Sequence, residues 1–322
     1  MNLAFVRLHA RTAVMRTALV STAVRRASGA RPFALRRRPR RATTMALAMA
    51  AALVVFLPSC AAGQTWRSLD VSRMARDTQP LAVRVAYGAG KLTMRGADAP
   101  YLYRMQLRYD DARGKVLTAW DSSRHTLALG LEMGNVTWRG TKGRESGEMT
   151  LALARTVPID LTLDLGATQS TLDLSGLRLR SLTVHSGASE TNVRFDAVSP
   201  IPMESLEVDA GAAAFHATGL ANSGATHLRV TGGLGLVELD FGGTWRRDME
   251  LELTLAVGGA ELTVPTDVGV RVTGERTLGS YQLEGMKELG GGAWETAGFA
   301  GARRKLVIKA NTTMGSLKIV RR

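Results

Sequence analysis

The chain of 322 residues has one cysteine, Cys60, which excludes an intrachain disulfide framework and any zinc site built from several thiolates. Aromatic residues supply only 5% of it, so a core must come from aliphatic side chains rather than ring anchors. Acid is missing altogether from residues 1–59, a stretch that holds eleven arginines. The longest uninterrupted apolar run, 45–57, has 13 residues. A helix of that length spans about 20 Å against a hydrocarbon core of roughly 30 Å, which excludes a membrane-spanning helix there.

What the chain has in excess is positive charge: 42 Lys and Arg against 28 Asp and Glu, a formal +14. Position changes the meaning of that number. With the eleven arginines of 1–59 set aside, 31 bases face 28 acids, and no basic stripe alternates with aromatics. Nucleic acid is therefore excluded as the partner. An Arg-rich, acid-free N-terminal stretch reads first as an address. The block RRRPRR, 36–41, is followed by a short uncharged spacer, by the apolar run, and by Pro58, Ser59 and Cys60. That order is a charged region, an apolar core and a small-residue processing site, hence a signal peptide.

Leu57-Pro58-Ser59-Cys60 resembles the lipobox of bacterial lipoproteins, which implies that Cys60 is acylated and becomes the new N-terminus. A lone cysteine is otherwise most often a small buried thiol; its place at the end of the apolar core favours lipidation. Two or more acyl chains, at about 0.8 kcal/mol per buried methylene, hold a protein on a bilayer where one chain is marginal. By resemblance to lipoprotein sorting, Ala61 after the cysteine implies the outer membrane, facing the periplasm or the cell surface. The rival address, an organellar transit peptide over 1–44, gives no reason for the apolar core to stop at Cys60.

Beyond the anchor the patterning is alternation. Leu161, Leu163 and Leu165 alternate with Thr162 and Asp164, and Leu251, Leu253 and Leu255 with Glu252 and Thr254, the period of strands with one buried face. The best helical stretch is 69–76. An apolar-x-apolar-x-x-Gly unit recurs at Val83/Val85/Gly88, Leu161/Leu163/Gly166, Leu182/Val184/Gly187, Leu206/Val208/Gly211, Leu228/Val230/Gly233 and Leu253/Leu255/Gly258, with a last copy at Leu306/Ile308/Asn311. Asn in place of Gly points to a turn with positive φ at that position. Most copies resume alternation after the turn, so each unit is two short strands about a Gly corner. Units of 20–26 residues cannot bury a face alone and must stack. The expected fold is an all-β, single-stranded β-solenoid over 81–322, with an irregular cap region at 101–150. It follows the extension and signal peptide of 1–59 and a lipid anchor and tether at 60–80. The Gly-rich stretch 274–304 reads as a long loop covering the far end.

The opening VRVAYGAGKLTMRG (83–96), the Gly-Ala and Gly-Gly corners and the closing LVIKANTTMGSLKIV (306–320) together resemble the toast-rack group of bacterial envelope proteins. Similar repeats occur in adhesin-type domains and in the C-terminal domain of LiaF-type envelope-stress proteins. The resemblance implies a non-enzymatic β-solenoid at the cell envelope. LiaF-type proteins carry several membrane helices ahead of this domain, and the sequence has none, which argues against direct control of a membrane kinase.

Catalytic signatures are missing. There is no Gly-x-Ser-x-Gly elbow and no phosphate loop ending in Gly-Lys-Ser or Gly-Lys-Thr. Gly232-Gly233-Leu234-Gly235 lies between strands, which makes it a repeat corner. His125, His185, His216 and His227 form no metal-ligand motif, so neither metal nor cofactor is expected. Two residues before successive corners stand Asp164, His185 and Asp209, which stacking would place in one outward ladder. Such a ladder could hold a cation or act as an acid–base group, although a solvated ladder of alternating charge explains it as well. The alternative function is glycan binding or processing, for which exposed aromatics serve as platforms. Trp66, Trp120, Trp138, Trp245 and Trp294 fall outside the repeat strands, and Trp245 and Trp294 are the candidate ligand contacts, with Arg246 and Arg247 beside Trp245; capping of the solenoid's ends is the plainer role. The expectation is a lipid-anchored envelope protein, structural or adhesin-like, whose partner is a membrane through the anchor and an envelope protein or glycan.

Overall fold

The computed structural model describes residues 65–98, 100–133 and 147–322, the side chain of Arg276 excepted. The signal, Cys60 and Trp138 lie outside them. Seventeen strands and two short 3-10 turns make up the described residues, and no helix among them is long and apolar enough to cross a membrane. The fold is an all-β solenoid.

Five long strands form its body: β2 (Leu81–Ala97), β7 (Pro158–Asp173), β10 (Met203–Thr218), β11 (Ala225–Asp240) and β12 (Met249–Val264). One coil is split between β8 (Arg178–Ser186) and β9 (Glu190–Arg194). Parallel pairing runs β2–β7, β7 to β8 and β9, these to β10, then β11 and β12. Each coil buries alternate residues up to the corner, shifts phase by one there, and resumes. In β2 the buried set passes from Leu81, Val83, Val85 and Tyr87 to Gly90, Leu92 and Met94. The shift keeps the same side inward after the chain bends, so both halves face one core. Identical positions stack rung on rung: Val85, Leu163, Val184, Val208, Val230 and Leu253 form one inward ladder, each at most 1% exposed.

Both ends are closed in the same way. At the first, β5 (Thr126–Met133) and β6 (Glu148–Ala154) return to lie outside β2. They are covered by antiparallel neighbours: β4 (Gly114–Asp121) on β5, and β3 (Tyr101–Asp110) on β6. At the other, β13 (Gly269–Arg276) and β14 (Ser280–Leu283) form the outer coil. The closing strand, β17 (Lys305–Arg321), slots between that coil and β12. Strand β16 (Ala293–Thr296) pairs antiparallel with β13, and β15 (Met286–Gly290) pairs antiparallel with β16 in turn. A loop-rich end was expected over 274–304; the stretch is mostly strand, because an open parallel edge leaves N–H and C=O groups unpaired until other strands cover it.

Three further expectations change. The stretch read as a helix, 69–76, and as part of a tether, is strand β1 (Trp66–Met74), paired antiparallel with β3 over its whole length. Arg104 on β3 grips Asp70 on β1 through two bonds of 3.1 and 2.6 Å, and Gln106 adds one of 3.0 Å. The last two repeat copies are also in a different register. Gly233 lies level with Ala256 and Thr313, not Gly258 and Asn311; the slip of two preserves inside–outside parity, which is why alternation alone did not reveal it.

The third change concerns the corner glycines, which do not share the positive φ expected of them. Gly88, Gly166, Gly187, Gly211 and Gly233 stack in register with ordinary φ. A Cβ on Gly187, Gly211 or Gly233 would lie 3.1, 3.2 or 2.8 Å from the carbonyl oxygen of the glycine one coil earlier. Close approach of coils is the reason for glycine along this rail. Positive φ occurs two residues later, at Gly90, Gly235 and Gly258.

Hydrogen bonds from Arg104 first, then Gln106, hold the Asp70 carboxyl down from its ordinary 3.8 to about 2. A carboxylate depressed in the folded state stabilises fully above its unfolded value and loses that stabilisation as pH falls toward the folded one. The β1–β3 pairing should therefore weaken between about pH 4 and 2. Asp70→Asn should show a smaller fall in the urea midpoint over that window than the wild type; an equal fall would remove Asp70 from the cause.

Candidate functional site

The stacking brings Asp164, His185 and Asp209 level with one another on β7, β8 and β10. They point outward because their neighbours Leu163, Val184 and Val208 point in. Arg84 Nε donates to Asp164 at 2.6 Å, and His185 Nδ1 lies 3.3 Å from Asp209. With Thr231 they form one wall of an open groove whose floor is the rail of Gly166, Gly187, Gly211 and Gly233. The groove is there because glycine has no side chain to fill it. All three side chains are substantially solvated, and no group of three metal-type ligands converges among the described residues.

Charged side chains elsewhere pair rung to rung in the same manner. Arg194 meets Asp173 at 2.7 Å, Arg229 meets Glu252 at 3.0 Å and Lys318 meets Glu261 at 3.2 Å. His216 and His227 likewise sit over Glu238 and Glu250, at 2.8 and 3.7 Å. Each exposed pair contributes at most about 1 kcal/mol to stability. They favour the observed register, since a slip by two would keep the core but part Arg194 from Asp173 and Lys318 from Glu261. Sequence reading missed these pairs because each joins residues about 21–57 apart in the chain.

The two candidate aromatics are engaged in packing. Trp245 lies in the loop after β11 against Phe241, its indole N–H donating to the Phe241 carbonyl at 2.9 Å. Arg304 Nε donates to the Trp245 carbonyl at 3.2 Å. Trp294 is on β16 level with Val272, edge-on to Tyr281 at 5.6 Å. Both pack against the apolar core. Trp120 on β4 is covered by the Arg73 guanidinium at 4.3 Å, and Trp66 on β1 by that of Arg108 at 4.1 Å. Arg246 and Arg247 border a small cleft formed by the loops that connect β9–β10, β10–β11 and β11–β12. A buried asparagine organises those loops: Asn222 donates to the Phe195 carbonyl at 2.9 Å and accepts from the Thr244 N–H at 2.8 Å.

Residues 63–200 match the model of the N-terminal domain of toast_rack, DUF2154. The stack itself does not stop at that limit, since β8 and β9 both pair onward with β10. Among solved structures, a protein from Clostridium sporogenes named for cell adhesion is 15% identical, with 80% of this chain and 100% of that one covered and a TM-score of 0.43. One from Bacteroides fragilis named as an adhesin is 10% identical over 80% and 98% of the two chains, with a TM-score of 0.32. A third, from Parabacteroides distasonis and named as lipid-binding, is 9% identical over 79% and 96%, at 0.33. None of the curated proteins matches the chain.

Proposed function

For a chain whose residues 63–200 match the toast-rack N-terminal domain, we propose the role of a lipid-anchored envelope protein that acts by presenting an extended surface and performs no catalysis. The observation that carries this reading is the outward face itself. It runs along the stacked coils, charged side chains on it pair from rung to rung, and its main groove is open and floored by backbone. Catalysis asks for groups converging on one point in a site shielded from water; a ladder spreads them at about 4.8 Å intervals along a solvated edge. Recognition of a partner asks for the opposite, a long rigid surface with repeated positions.

The anchor comes from the order of the N-terminal residues, with Cys60 directly after the signal core. Acylation there would tie β1, whose first residue is Trp66, within a few residues of a bilayer and leave the solenoid standing off it. Cys60→Ala should move the protein from the membrane to the soluble fraction with at least about a tenfold change in partition, since every acyl chain of the anchor depends on Cys60. Retention of the variant on membranes would overturn lipidation as the cause of localisation.

A further inference from the structure

Next to the glycine rail runs an outward ladder that is apolar on every rung. In stack order it reads Ala89, Ala167, Ala188, Ala212, Leu234, Val257, Met314 and Leu278. The first four are methyl groups; those on β7 to β10 stand beside bare glycine along the open groove, and at the β2 end Met133 of the coil outside packs over Gly88. The last four are large and stand in solvent: Leu234 57%, Val257 36%, Met314 52% and Leu278 67% exposed. Leu236 widens this ridge and is also exposed. Contiguous exposed apolar surface of this kind marks an interaction site on a folded protein.

The four alanine rungs and the four large rungs lie end to end on one line of the same chain. We propose that this face docks on the same face of a second copy, with the two stacks antiparallel across a two-fold axis between Ala212 and Leu234. Isologous pairing makes each contact occur twice. Rung by rung it sets Ala89 against Leu278, Ala167 against Met314, Ala188 against Val257 and Ala212 against Leu234, a small residue against a large one every time. The bordering ladder agrees. Asp164, His185 and Asp209 would face Asn311, Thr254 and Thr231, which are level with them on later coils. The carboxylates thus meet neutral donors and no like charge. On the other border Gln169 and Glu190 would face Ser316 and Gly259, and Ala214 would face Leu236. Three ladders of eight rungs are two dozen positions, within the roughly 20–30 residues a side of a stable interface. A membrane surface is the lesser fit, because it would meet the ridge and leave the matching groove without a purpose.

The test uses the full chain carrying both Ala188→Cys and Val257→Cys. Within one copy these positions are three rungs apart, about 14 Å, beyond the roughly 7 Å that a disulfide can bridge. Oxidation should therefore give a covalent dimer, absent from either single variant. Without cross-linking, sedimentation should show a dimer that Leu234→Glu with Met314→Glu weakens at least about 30-fold. Both side chains are exposed, so circular dichroism should stay unchanged and the melting temperature should match that of wild type diluted to monomer. A wild-type monomer at every concentration, or a dimer indifferent to the two glutamates, would overturn the proposal. So would a monomer that binds phosphatidylcholine vesicles through Leu234 and Met314.

Discussion

Gly258→Ala should lower the folding stability by at least about 3 kcal/mol, the sum of two penalties that a methyl group incurs there. Gly258 has φ 131°, a region L side chains rarely adopt, and its neighbour one coil earlier, Gly235, has φ 136°. A Cβ on Gly258 would also overlap the carbonyl oxygen of Gly235, so relief requires the coils to separate. Strain of the backbone alone costs on the order of 1–3 kcal/mol. Gly187→Ala is the internal comparison: φ is ordinary, the Cβ would sit 3.1 Å from the Gly166 carbonyl oxygen, and a shift of a few tenths of an ångström removes the contact. Its loss should stay within about 1 kcal/mol. Urea midpoints of the two variants measure the difference. Coils contact only their neighbours, so amide exchange in Gly258→Ala should rise first in β11, β12 and β17. Equal losses at the two glycines would show that corner sterics, and not φ, set the cost.

Leu163→Ala should cost about 2–5 kcal/mol. Leu163 is fully buried between Val85 and Val184, neighbours held by continuous ladders that cannot collapse into the space. Leu234→Ala changes the same side chain on the outside of the stack, where it is largely solvated, and should stay within about 0.5 kcal/mol. Its effect belongs to self-association instead. Similar losses of stability at the two positions would mean that the inward and outward ladders are misassigned.

Alternation made the inside and outside of most coils legible. Leu163, Val184 and Val208 were readable as inward and Asp164, His185 and Asp209 as outward, because period two leaves little choice once one face is apolar. Stretches with weak or mixed patterns misled. In 69–76, polar residues on both faces hid a strand held by its pairing with β3 and by Leu69 and Val71 against the core. The register of the last two coils was ambiguous by two, since such a slip leaves every side chain on its own face. The apolar ridge was illegible for a related reason: from rung to rung Leu234, Val257, Met314 and Leu278 are 23, 57 and 36 residues apart, in an order the stack rearranges when β17 slots in ahead of β13 and β14.

The sequence by itself determined an all-β repeat, the alternating core and the concentration of excess positive charge in residues 1–59, because these depend on neighbours one or two positions apart. The tertiary structure alone decided which rung meets which. It placed acids over histidines and arginines, turned the corner glycines into a rail of close approach, and joined small and large residues from distant coils into one face. Such choices depend on contacts between coils, and a stacking energy has no expression in local pattern.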